Sequence, residues 1–156
     1  MKNFVILSLS MLFLSVIFSC EKTEEKRLTL VKTESGGCNG QFNENEIMIL
    51  TDQEDVVEFS VRNDTLDIYV GIPYICCAPF TSDASISNES IIINVTDTCS
   101  NPYESCYCRC MCYYTWNFLF VDFEEKEYSY KIILNDPRET NPVIIEEGTV
   151  DIGELN

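Results

Sequence analysis

From Cys106 to Phe120 every second residue is a cysteine or an aromatic: Cys106, Cys108, Cys110, Cys112, Tyr114, Trp116, Phe118 and Phe120. A period of two is the period of a β-strand, whose alternate side chains leave the same face. The run predicts one strand on which the thiol face and the aromatic face coincide and turn to the core. Cα atoms two residues apart on a strand are about 7 Å apart, too far for an easy disulfide. The four sulfurs therefore need partners elsewhere in the chain.

The same period recurs around this run. Val57, Phe59 and Val61 alternate with Glu58, Ser60 and Arg62, and Leu66, Ile68 and Val70 alternate with Asp67 and Tyr69. Ile91, Ile93 and Val95, then Tyr128, Tyr130, Ile132 and Leu134, repeat the pattern. Turn chemistry separates them at Arg62–Thr65, Ser87–Ser90, Glu124–Lys126 and Asn135–Arg138. Val143 to Ile145 and Thr149 to Ile152 read as a last short pair around Gly148. No stretch after Cys20 carries a helical stripe. Roughly seven or eight short strands at this spacing predict an all-β fold, an antiparallel β-sandwich, with a small barrel as the alternative. The architecture is immunoglobulin-like without the true immunoglobulin pattern, because no cysteine follows Trp116.

The chain has nine cysteines. Setting Cys20 aside leaves an even set: Cys38, Cys76, Cys77 and Cys99 upstream, and Cys106, Cys108, Cys110 and Cys112 downstream. In an exported domain this is the arithmetic of a disulfide framework, although eight cysteines allow roughly a hundred pairings. At least one link from the Cys106–Cys112 run back to Cys76 or Cys77 is expected, and Cys99 with Cys106 is placed to close a local loop. The vicinal pair Cys76–Cys77 is expected to point to opposite faces and pair separately. The alternative is a Zn or Cu site on Cys106, Cys108, Cys110 and Cys112. Against it, alternating cysteines on a straight strand spread over about 20 Å and cannot converge on one ion.

The amino terminus argues for export. Lys2 and the apolar run Phe4–Phe18 lead into Ser19-Cys20 and then the acidic Glu21–Lys26, the layout of a secretory signal peptide. The run is shorter than the roughly 20 apolar residues a membrane span needs. Its end resembles the lipobox of bacterial lipoproteins, which implies cleavage before Cys20 and acylation of that cysteine. The expected organisation is a signal peptide over residues 1–19, a lipidated N-terminus and flexible acidic tether over 20–45, and a β-sandwich domain over 46–156. Two or more acyl chains anchor a protein stably, at roughly 0.8 kcal/mol per buried CH₂.

Charge and composition exclude several functions. The net charge of −16 becomes −17 once Lys2 leaves with the signal peptide. Such a field repels phosphate backbones, so no nucleic-acid partner is expected. The chain has no histidine, which removes the usual general base and every Ser-His or Cys-His nucleophile pair. No cofactor is implied. The acidic stretch Asp52-Gln53-Glu54-Asp55 lacks the alternating ligands and glycine of a calcium loop. A carboxylate enzyme acting on glycans would have to draw on Asp122, Glu124, Glu125, Glu146 and Glu147. A binding module would use an aromatic surface drawn from Tyr69, Tyr74, Tyr103, Tyr107, Tyr113 and Tyr114, with a glycan or a protein as ligand.

The lipobox, Cys76-Cys77-Ala78-Pro79-Phe80, the segment Asn88–Ile93, Cys108–Tyr114 and Tyr128–Ile132 together resemble small uncharacterised lipoproteins of Bacteroidetes. Tyr113-Tyr114-Thr115 stands where such proteins often carry Pro-Phe-Asp. The resemblance covers roughly residues 70–135 and the signal. It implies a β-sandwich and a place in the cell envelope, with the N-terminal lipid as the membrane attachment and the outer membrane as the expected site. It implies no activity. The acidic run after Cys20 is similar to the surface-export signal of these bacteria, and Asp64-Thr65-Leu66 resembles their short O-glycosylation site.

Overall fold

The alternation read in the sequence becomes two packed four-stranded sheets in the computed structural model, which describes residues 27–42, 54–104 and 106–155. The first sheet carries β1 (Thr29–Phe42), β6 (Met111–Val121), β3 (Thr65–Ile75) and β2 (Val56–Arg62), in that order. The second carries β4 (Phe80–Ser87), β5 (Ser90–Asp97), β7 (Glu127–Asn135) and β8 (Val143–Asp151). The fold is an all-β sandwich. Every neighbouring pair is antiparallel except β5 and β7, which run parallel. Among the described residues the only helical element is a 3-10 turn, Ile152–Leu155, and no helix is long and apolar enough to cross a membrane.

The core is the inward parity of each strand. Leu66, Ile68, Val70 and Ile72 of β3 and Trp116, Phe118 and Phe120 of β6 face Ile91, Ile93 and Val95 of β5 and Ile132 of β7. Trp116 is wholly buried, with Phe80 set edge-on at 5.2 Å. Asn63 and Asp64 both take the left-handed backbone (φ 48° and 61°) that a tight β2–β3 hairpin requires. Asn88 (φ 55°) turns β4 into β5.

The structure corrects three expectations and adds one strand. The domain begins before residue 46: Thr29–Phe42, expected as tether, is strand β1, hydrogen-bonded along β6. Its pattern is hidden by register shifts at Leu30/Lys32, Ser35/Gly37 and Cys38/Gln41. Gly37, at φ 66°, supplies the left-handed residue of one of these bulges. Secondly, β6 starts at Met111, so Cys106–Cys110 is an irregular segment rather than straight strand. Thirdly, β8 is one continuous strand through Gly148. That glycine makes room for a neighbour: a Cβ there would stand 3.1 Å from the Tyr130 hydroxyl across the pair. Finally, β4, whose outward positions are Thr81, Asp83, Ser85 and Ser87, went unread. The signal peptide and Cys20 lie outside the described residues, as do Asp52 and Gln53.

Candidate functional site

One end of the sandwich gathers all eight remaining cysteines, and the register explains how. β3 and β6 pair with Ile75 opposite Met111. One step further, Cys76 meets Cys110, its N–H donating to the Cys110 carbonyl at 2.9 Å, while Cys108 N–H donates to the Cys76 carbonyl at 3.0 Å. The Cys76–Cys110 disulfide therefore closes a cross-strand pair. Cys77, turned by a left-handed φ of 67°, bonds Cys108. Cys38 of β1 bonds Cys112 from the other side of β6. Cys99 bonds Cys106, seven positions on, and closes the loop between them.

Each downstream cysteine thus has its own partner, two of them in the Cys76–Cys77 pair as expected. Cys76 and Cys77 do pair separately. The set Cys106, Cys108, Cys110 and Cys112 does not converge, because each sulfur is tied to a different partner. Inward parity holds from Cys112 through Phe120.

A polar knot underlies this braced end. Asp97 ends the inward row of β5 and is 4% exposed. Its Oδ2 accepts from the hydroxyls of Tyr74 (3.0 Å) and Tyr107 (2.6 Å), and its Oδ1 accepts from Cys99 N–H (2.9 Å). The guanidinium of Arg138, in the β7–β8 loop, lies over both rings, at 4.6 Å from Tyr74 and 5.3 Å from Tyr107. Asp136 holds that guanidinium through Nε (2.9 Å) and Nη2 (2.6 Å). Burial pushes the Tyr107 phenol up to about 12, helped by its bond to Asp97. Tyr74 is raised too, by burial first and then by its bonds to Asp136 and Asp97. Burial alone would raise Asp136, but the Arg138 hydrogen bonds outweigh it and hold the carboxyl below its ordinary range.

Sequence reasoning read Asn135–Arg138 only as a turn and missed Asp97. A signal was present: Asp97 continues the inward parity of Ile91, Ile93 and Val95, and a carboxylate in that position needs partners.

The aromatic candidates separate sharply. Tyr74, Tyr113 and Tyr114 are buried. Tyr113 lies across Gly71 on the outer face of the first sheet, where a Cβ would come within 2.7 Å of its ring. Tyr114 accepts a hydrogen bond from Ala78 N–H at the cysteine corner (3.2 Å). Tyr69 and Tyr107 are half-buried. Tyr103 is 81% exposed. It sits on the loop closed by Cys99–Cys106, in a turn where Glu104 N–H donates to the Asn101 carbonyl (3.3 Å) and Asn101 Nδ2 donates to Glu104 (2.7 Å). Arg109, exposed on the adjoining segment, has no ion pair among the described residues.

The carboxylate candidates fall into two groups. Asp122, Glu124 and Glu125 share an open cleft of about 650 Å³ with Asp64. Glu124 is engaged by Lys126 (2.7 Å), which also reaches Glu89 (3.2 Å). Glu146 and Glu147 stand on opposite faces of β8, one accepting from the Tyr130 hydroxyl (2.5 Å), the other paired with Lys131 (2.8 Å).

No family model matches the chain, and neither a curated protein nor a solved structure does.

Proposed function

We propose that this chain is an envelope lipoprotein, anchored through acylated Cys20, that acts as a non-catalytic binding module with residues 99–110 as its recognition element. The observation that carries this reading is Tyr103. It is the most exposed large apolar side chain among the described residues, yet it stands on a loop closed by one disulfide, with two more bridges fixing the segment that follows. Rigid aromatic anchors lose little entropy on binding, and Tyr and Arg are the residues that dominate interface energetics. Tyr103 and Arg109 on one pinned segment fit that description.

The shape favours a protein partner over a glycan. Sugar recognition by stacking wants a platform of exposed rings, and the other candidate tyrosines are buried or half-buried. A single projecting ring suits insertion into a pocket. The disulfides support an oxidising compartment, the sequence of residues 1–20 supports lipidation, and the acidic run 21–26 supports a surface-facing place on the outer membrane.

The test is a photo-crosslinking amino acid placed at position 103 of the full-length protein in its own cells. A discrete adduct from position 103, absent when the probe is at exposed Glu58 and reduced by Arg109→Ala, is expected. Equal labelling from both positions would contradict the proposal.

A further inference from the structure

The two bridges at the start of strand β6 are close enough to exchange. Cys110 and Cys112 have the same parity but bond in opposite directions, one to Cys76 beyond β3, the other to Cys38 on β1. As a result the sulfurs of Cys38, Cys76 and Cys112 all lie within 4.8 Å of one another. Cys38 is exposed, whereas Cys76 and Cys112 are buried. The cluster therefore has one entrance and two inner members.

We propose that this cluster is a thiol-exchange site, entered by an external thiol at Cys38 and discharged at Cys110. Exchange proceeds by attack of a thiolate on one disulfide sulfur with departure of the other. The incoming thiolate, RS⁻, attacks Cys38 Sγ. An S–S bond forms between R and Cys38, the Cys38–Cys112 bond breaks, and the electron pair leaves on Cys112. The Cys112 thiolate then attacks Cys76 Sγ. The Cys76–Cys112 bond forms, the Cys76–Cys110 bond breaks, and Cys110 leaves as thiolate and takes a proton from water. One thiol enters and one thiol appears, so no separate oxidant or reductant is consumed. The products are a mixed disulfide at Cys38, a Cys76–Cys112 bridge and a thiol at Cys110. Cys77–Cys108 and Cys99–Cys106 take no part, which keeps the 99–110 segment closed while the chemistry occurs beside it. The proposal stands on the sulfur positions alone and does not require that the module bind a protein.

The experiment uses the full-length protein in detergent, treated with glutathione at about pH 8, where thiolate is available. Samples are quenched in acid, alkylated with N-ethylmaleimide and mapped by mass spectrometry without reduction. Glutathionylated Cys38, a Cys76–Cys112 cross-linked peptide and alkylated Cys110 should appear with one time course, while the other two pairs persist. Alkylation of Cys112 with Cys76–Cys110 intact would overturn the proposal, as would simultaneous scrambling of all eight cysteines. Cys38→Ser supplies a second arm without added thiol: label should divide between Cys110 and Cys112, and label confined to Cys112 would contradict exchange. Should that variant not fold, the wild-type arm decides by itself.

Discussion

Asp97 shows how one residue sets the shape of the braced end. Its carboxylate gathers three donors from β3, the β5–β6 segment and its own turn. Removing it takes an acceptor at once from the Tyr74 and Tyr107 hydroxyls and from the buried Cys99 N–H, whereas removing one hydroxyl leaves the carboxylate still bonded twice. Buried groups left unpaired cost about 1–3 kcal/mol, against about 1 kcal/mol for a single hydrogen bond. Asp97→Ala should thus lower the urea-unfolding free energy clearly more than Tyr74→Phe does. Equal losses would contradict the knot. The phenols also make a pH prediction. Tyr107 and Tyr130 are pushed up to about 12, each by burial first and then by a carboxylate neighbour, Asp97 or Glu146. An unfolded chain releases these protons near 10. The stability they contribute is complete below about pH 10 and is lost as pH rises toward about 12. Phenolate absorbance should lag behind that of the unfolded chain and then rise together with unfolding. Ordinary titration of every tyrosine in the folded protein would refute it. Gly71→Ala should cost about 1–3 kcal/mol by overpacking against Tyr113, read as a lower melting temperature.

At the scale of elements, the bridges divide into a long staple and a local clamp. Cys38–Cys112 spans 74 residues and ties β1 to the sandwich; in the chain-entropy description that is worth about 4.5 kcal/mol. Cys76–Cys110 and Cys77–Cys108 span 34 and 31 residues and close almost the same loop. Once either is formed, the other has little chain entropy left to remove. Replacing one of these pairs by serines should therefore cost little. Replacing both should cost about 3.8 kcal/mol, more than the two single losses combined; additive losses in a double-mutant cycle would contradict the clamp. Strands β2, β3, β5, β6 and β7 were legible because half-buried strands advertise an alternating face. β1 was not, since its place depends on backbone pairing, bulges and one disulfide, none of which leaves a hydrophobic rhythm. At least one link from the Cys106–Cys112 run to Cys76 or Cys77 was expected, and Cys99 with Cys106 was placed to close a local loop, but spacing left the full pairing open. Cys38–Cys112 could not be expected, because the route of β1 was hidden. The place of Arg138 was invisible for a related reason: Asp136 is its neighbour in sequence, but the two rings beneath it come from β3 and the β5–β6 segment and meet it only in the folded chain.

For the whole molecule, the account makes the oxidised cysteines the condition for a stable sandwich. The core is well filled around Trp116, Phe118 and Phe120, but a domain of this size has only about 5–15 kcal/mol of net stability, of which the long staple and the clamp contribute about 4.5 and about 3.8 kcal/mol. Full reduction should lower the melting temperature steeply or unfold the chain, seen as loss of the near-ultraviolet signal of Trp116. The central claim is that the eight cysteines beyond Cys20 form a structural brace in one pairing. It is tested most directly by mapping the purified protein under denaturing, non-reducing conditions, with thiol titration and elemental analysis on the same sample. The account predicts no alkylatable thiol among the eight, no stoichiometric metal, and linked peptides for Cys38–Cys112, Cys76–Cys110, Cys77–Cys108 and Cys99–Cys106. Several reactive thiols accompanied by stoichiometric zinc or copper would contradict it.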